Sequence, residues 1–423
     1  MYTLLNIIIL VIQIFLTFTA AYLLLLTVAA WLASRHMKLP AVQGFVNFAI
    51  IIPAHNEEHL LPRLLKNLES IDYPGDNFSV HVVADNCTDT TSQVGHLHGA
   101  AVYERINENE KGKGYALQCA LENLKKDDVV HEAIVIIDAD SVVSRNFLKV
   151  MNMHLTRGER VIQSYYTVFN SENSFAEGMR FAALAVLHYL RPMGRMKLGG
   201  SAGLKGNGMV FDREVMEQYS WPTSITEDIE LHMELLLNGE RVTFAPNAEV
   251  KAEMPDTLTS SKSQATRWEA GRLEMSLRYI YPLIQAAWSE IIKMKFRRAF
   301  IYVDALMEHI IPPFSVLVGL SLATFIASSV IYGITAFGRL NTLNPSLTLR
   351  SNLVEFNLLL ILGILCVLFA YLYSGLLLVK APPRIYFTLF QAPKYMVWKV
   401  LQYISVIRKR KPMEWERTAR NES

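Results

Sequence analysis

The chain has 423 residues, half of them apolar, with a formal net charge of only +2. Its three cysteines, Cys87, Cys119 and Cys366, are scattered, which excludes a disulfide framework and a CxxC metal pair. No basic surplus calls for a nucleic-acid partner, so the placement of charge says more than its sum.

Apolar residues concentrate at 3–33, 305–334 and 353–379. The first run carries no charge and exceeds the roughly 20 residues a helix needs to cross a bilayer. It reads as a transmembrane helix over 1–34. A signal peptide would have a basic amino end and a shorter apolar core. Arg35, His36 and Lys38 follow at once, and Arg408 to Lys411 form a basic tail. The positive-inside rule places both in the cytosol. With two more transmembrane helices within 301–380, the amino terminus lies outside and the central domain inside. That is an integral protein of a plasma or bacterial inner membrane. Residues 264–300 and 384–407 mix aromatics with Lys and Arg and read as amphipathic helices in the cytosolic interface. A fourth span at 384–407 would export the basic tail, against the charge rule.

The central domain is expected over 47–260. Residues 48–52 form a short apolar run, read as a buried strand, and lead into Pro53-Ala54-His55-Asn56-Glu57. A helix follows, with Leu60, Leu61, Leu64, Leu65 and Leu68 at helical spacing. Residues 79–84 make a second strand ending at Asp85, and 133–137 a third ending in Asp138-Ala139-Asp140. A helix over 112–124 opens with Lys111-Gly112-Lys113-Gly114. Strands alternating with helices imply an α/β fold with a mostly parallel central sheet, whose ligands bind beyond the carboxyl ends of the strands. Three polar clusters fall at those ends.

Their chemistry is specific enough to state. Asp138 and Asp140 can hold a hard divalent ion, which in turn can bridge nucleotide phosphates. Asp85 can accept a hydrogen bond from a base. Lys113 opens a helix whose free amides suit phosphate, although a flexible basic turn reads equally well. Glu227 and Asp228 begin a helix, where acidic residues are ordinary capping. A carboxylate there could also deprotonate an attacking hydroxyl. Gln264, Arg267 and Trp268 share one helix face, offering a cation for a diphosphate and a flat ring for a sugar. The glycine-rich stretch Gly199 to Gly208 reads either as an acceptor-contacting backbone or as a plain flexible loop.

This ordered set resembles the membrane-bound family 2 glycosyltransferases, the group of cellulose, chitin and hyaluronan synthases and ceramide glucosyltransferase. The resemblance covers residues 47–275, with 261–300 as interfacial helices carrying the QxxRW motif and 381–423 as an interfacial helix and tail. It implies a GT-A fold, a nucleotide-sugar donor, in the first instance UDP-linked, and a Mg or Mn cofactor on Asp140 and Asp138. By the same resemblance Ala54, His55, Glu57, Asp85, Lys113, Asp138, Gln264 and Arg267 bind the nucleotide sugar. Asp228 is the catalytic base, and Trp268 and Glu227 meet the acceptor. The reaction would invert the anomeric carbon.

Three spans look too few to line a polysaccharide pore, so a lipid or lipid-linked glycan acceptor is favoured. A processive β-linked exopolysaccharide synthase is the alternative, with an oligomer or a channel subunit as partner. A nucleotidyltransferase would also use acidic metal ligands, but it would not require Arg267-Trp268 at a membrane. An inactive scaffold subunit fits poorly with the intact acidic positions.

Overall fold

The computed structural model describes residues 2–35, 44–169, 171–172, 174–255, 257–341 and 346–409. Of the basic residues used for orientation, His36, Lys38, Arg410 and Lys411 lie outside that set.

Eight strands form one sheet: β1 (Phe48–Ala54), β2 (Phe78–Asp85), β3 (Ala101–Arg105), β4 (Ala133–Ile136), β5 (Ser141–Val143), β6 (Val161–Val168), β7 (Met209–Asp212) and β8 (Val242–Ala252). Their order is β3-β2-β1-β4-β7-β6-β8-β5. The first four are parallel neighbours. β7 opposes both β4 and β6, β8 runs parallel to β6, and β5 closes the edge antiparallel to β8. β1 is apolar along nearly its whole length because helices cover both its faces. Helix Leu61–Glu69 lays Leu61, Leu64, Leu65 and Leu68 on one face of the sheet, and helix Lys113–Lys126 lays Ala116, Leu117, Ala120 and Leu124 on the other. The register pairs Ala54 with Ala84 and Ile51 with Ile136. The residues after β1, β2 and β4 therefore emerge along one edge.

Among the described residues, three helices are long and apolar enough to cross a membrane: Leu5–Ser34, Phe314–Phe337 and Asn352–Leu378. The second starts later than its apolar run. Pro312 and Pro313 interrupt the run, since proline has no N–H to continue a helix. Residues 305–310 belong instead to a separate helix, Phe296–Ile310, whose Ala305 and Met307 are buried in the protein. The first and third of these apolar helices pack together, and Gln13 donates to the Asn357 carbonyl at 2.8 Å in their buried interface.

Helix Lys262–Ile292 packs on Phe296–Ile310. It exposes Leu277, Tyr281, Ile284, Trp288 and Ile291 as one apolar stripe. Helix Ala392–Lys409 exposes Val397, Leu401 and Ile404 in the same way and is tied to Lys262–Ile292 by Lys399 and Glu269 at 3.3 Å.

A continuous helical segment joins the two parts: Phe175–Leu184, a π-turn at Ala185–Leu190, then Arg191–Leu198. Its last piece lies directly on the first membrane helix at Gly194. A Cβ at that position would sit 2.4 Å from the carbonyl oxygen of Leu26. Gly194→Ala should therefore force the two helices apart, costing about 1–3 kcal/mol. Thermal unfolding in detergent should show a lowered melting temperature; an unchanged one would mean that the contact is slack.

Candidate active site

The strand ends are locked to one another before any ligand arrives. Asn56, two residues after β1, and Asn86, directly after β2, adopt positive φ, +55° and +50°. Asparagine tolerates that left-handed turn. The His55 ring donates from Nδ1 to the Asp85 carbonyl at 2.7 Å, and the Asn56 side-chain oxygen accepts the Thr88 N–H at 2.7 Å. Asp85 is buried and pairs with Arg105, at the end of β3, at 2.8 Å. Burial raises the Asp85 carboxyl pKa, and Arg105 acts against that rise.

Asp138 and Asp140 follow β4 on either side of the buried Ala139. The Asp138 N–H donates to the Asn207 side-chain oxygen at 3.2 Å, and Asn207 in turn donates to Ser141 at 2.8 Å. Lys113 opens its helix behind Gly112 and donates to both the Asp138 carboxylate and the Gly206 carbonyl. Ser141 donates to the Asp140 carboxylate at 3.1 Å. The Gly199 to Gly208 stretch is thus no loose loop. Gln163 of β6 accepts the Lys205 N–H and donates to the Asn207 carbonyl, both at 2.8 Å.

Glu227 and Asp228 enter the site at the start of helix Glu227–Leu237. Gly206, at φ +78°, lies against Asp228: a Cβ there would come within 3.3 Å of its carboxylate. Burial raises the pKa of both acids, and the Lys113 ammonium opposes the rise. Gln264, Arg267 and Trp268 come from helix Lys262–Ile292, and one face of the Trp268 ring is covered by the Arg180 guanidinium, 4.8 Å from its centroid.

One cavity of about 460 Å³ gathers every site residue expected from the sequence: Ala54, His55, Glu57, Asp85, Lys113, Asp138, Asp140, Glu227, Asp228, Gln264, Arg267 and Trp268. It also takes in Lys205, His188, Arg191, Arg272, Glu308 and His309, which sequence reasoning did not single out. Burial holds the imidazoles of His188 and His232 down to about 3 and that of His309 to about 4, so all three are neutral near neutral pH.

Residues 46–271 match the family described as "Glycosyltransferase like family 2". The chain belongs to this family. It is similar to a Beta-monoglucosyldiacylglycerol synthase of Nostoc sp., 26% identical over 254 residues, 58% of this chain and 53% of the relative. It is also similar to Glucomannan 4-beta-mannosyltransferase 2 of Arabidopsis thaliana, 23% identical over 261 residues, 57% of this chain and 48% of the relative. The chain thus spans about half the length of these relatives. Among solved structures, the mannosyltransferase PcManGT of Pyrobaculum calidifontis superposes with a TM-score of 0.54 at 18% identity, covering 87% of this chain and 98% of that one. The shared architecture is the GT-A-like glycosyltransferase fold, here with three apolar helices attached.

The Asp85–Arg105 pair gives a test of the strand-end lock. Arg105→Met leaves a buried carboxylate without its cation and should destabilise the protein by about 3–5 kcal/mol. Asp85→Asn combined with Arg105→Met should recover much of that loss. Additive losses in a double-mutant cycle of thermal melts would show that the two side chains act independently.

Proposed function

We propose that the chain is an inverting glycosyltransferase that moves a hexose from a nucleotide donor, a UDP-sugar, to a lipid acceptor at the cytosolic membrane surface. The observation that carries this reading is the composition of the cavity at the strand ends. Its strand-end side holds the acidic and basic groups a nucleoside diphosphate needs, and its other wall is built by the helices that flank the membrane spans. The Nostoc relative, named for a glucosyldiacylglycerol product, supports a lipid acceptor. The Arabidopsis relative supports a second reading, β-linked polysaccharide synthesis. The apolar stripes on Lys262–Ile292 and Ala392–Lys409 suit helices lying in the membrane interface, and the first span then runs from an outside amino terminus to a cytosolic catalytic domain.

In this reading Asp85 and His55 receive the base, with Ala54 and Glu57 lining the same end. Lys113, Arg267 and Gln264 face the diphosphate. The acceptor oxygen attacks the anomeric carbon as its proton passes to Asp228, and the bond from that carbon to the diphosphate oxygen breaks. Attack opposite the leaving group inverts the centre. The raised pKa of Asp228 makes its carboxylate a stronger base than an exposed aspartate. Trp268 and Glu227 border the acceptor side.

The Pyrobaculum transferase was solved with GDP-Man and Mn2+. The residues here fit a Mg or Mn ion bound together with the donor. Asp138 and Asp140 both line the cavity, and among the described residues no cluster of three His, Cys, Asp or Glu side chains forms a cage by itself. Two carboxylates plus phosphate oxygens and water are an ordinary ligand set for such an ion. When bound, the ion would offset charge on the departing diphosphate.

Two measurements test this reading. Asp228→Asn should lower the turnover of labelled UDP-sugar into lipid by about 10²–10⁴-fold, while calorimetry shows nearly unchanged UDP affinity. Near-normal turnover would remove Asp228 as the base. Asp140→Ala should abolish the gain in UDP affinity that Mn brings to the parent protein; a persisting gain would place the ion elsewhere.

A further inference from the structure

The wall of the cavity nearest the membrane helices carries more positive charge than it neutralises. Among the described residues, its acidic groups already have cations. Glu308 meets Arg195 at 2.7 Å and Lys205 at 3.5 Å, Asp304 meets Arg195 at 2.7 Å, and Glu269 meets Lys399 at 3.3 Å. Burial keeps the neighbouring His188 and His309 neutral. Arg191 and Arg272 remain. Neither has a carboxylate within 4.0 Å among the described residues, yet both line the cavity, and Arg191 is only 5% exposed. Burial pushes Arg272 below its ordinary pKa and the positive charge of Arg191 adds to that, while Glu269, Tyr403 and Glu308 oppose it without cancelling it. A buried guanidinium beside a half-buried one of the same sign is costly unless an anion joins them.

Their anchors show where they sit. Arg191 donates from Nε to the hydroxyl of Tyr371 at 2.7 Å, on the third membrane helix. Arg272 donates to the carbonyl of Ile311 at 2.7 Å, three residues before the second membrane helix begins at Phe314. Arg272 is therefore fixed by a neutral acceptor at the margin of the second apolar helix, and Arg191 by one about two turns inside the end of the third, seven residues before Leu378. Among the described residues their remaining N–H groups are left for the cavity. The end of a span is where lipid headgroups would lie. The nucleotide groups around Asp85 and Asp138 belong to the strand ends instead.

We infer that Arg191 and Arg272 form an anion site that takes a phosphate ester on the headgroup of the lipid acceptor, so that the enzyme prefers an anionic glycerolipid to an uncharged diacylglycerol. Paired guanidiniums suit a phosphate through parallel N–H to oxygen bonds. This rests on the lipid reading of the acceptor and narrows it.

The test uses the full chain in neutral-lipid vesicles containing either diacylglycerol or phosphatidylglycerol, with labelled donor. Phosphatidylglycerol should be the better acceptor. Arg191→Gln and Arg272→Gln should each raise its KM roughly tenfold or more, with the donor KM in place and transfer to diacylglycerol little changed. Tyr371→Phe keeps both charges and loses only the anchor, so it should raise the same KM by less. UDP calorimetry reports which variants are folded, and if Arg191→Gln is not, Arg272→Gln and Tyr371→Phe decide. Inorganic phosphate should compete with phosphatidylglycerol and not with donor. A raised donor KM in the variants, or phosphate competing with donor, would show that the arginines hold the donor diphosphate. Equal use of diacylglycerol, with variants that shift neither KM, would overturn the anion site and leave the lipid reading standing. Release of UDP with sugar on neither lipid would overturn both.

Discussion

The guanidinium of Arg195 is withdrawn completely from solvent, and two carboxylates, Asp304 and Glu308, each meet it at 2.7 Å. Burial alone would disfavour its charge. The two acids outweigh that and hold its pKa above the ordinary value. Tyr22, on the first membrane helix, donates to the other oxygen of Asp304 at 2.7 Å. A buried charge that loses its partner costs several kcal/mol, so the groups around Arg195 cannot separate cheaply. They come from the first span, from Arg191–Leu198 and from Phe296–Ile310. This ion cluster thereby makes the sheet domain and the long apolar helices one unit. It also leaves little room for backbone: a Cβ on Gly200 would lie 2.4 Å from Asp304.

The cluster reaches the chemistry through short steps. Glu308 faces Lys205, whose neighbour Gly206 gives its carbonyl to Lys113, and Lys113 holds Asp138. Gly206 also abuts Asp228. The acid at the end of β4 and the acid proposed as base are thus spaced by a strip of backbone that is tied to the membrane-side helices. In such an arrangement the two ends of the cavity keep their separation without a ligand to enforce it, which is what positioning requires.

Much of this was legible in the residues, and the reasons for the gaps are physical. The ends of β1, β2 and β4 could be read because a short apolar run and the polar residue that stops it are local features. β6 escaped notice because its buried length includes Gln163, Ser164 and Thr167. Those polar side chains break the apolar pattern, and Gln163 is there to hold the glycine-rich stretch. Arg105 carries no local signal, and nothing marks Asp85 as its partner 20 residues away. The apolar count runs through Pro312 and Pro313, whereas the long apolar helix begins only after them at Phe314. Arg191, Arg272 and Glu308 had no local signal. Their meaning lies in which charges are already matched, a tertiary property.

The π-turn at Ala185–Leu190 has a consequence for how sequences of this kind can diverge. A π-turn is an α-helix with one residue added. It lies between Phe175–Leu184, which packs near β6, and Arg191–Leu198, which packs on the first span. Removing one residue from it would let the segment wind back to the regular α pitch, because the wider π-turn absorbs its extra residue locally and leaves the flanking helices in phase. Arg191, Gly194 and Arg195 would keep the same faces towards their partners. A single-residue gap in this short stretch is therefore the length change most easily absorbed, whereas a gap within Arg191–Leu198 itself would turn the residues beyond it by about 100° and break the ion cluster.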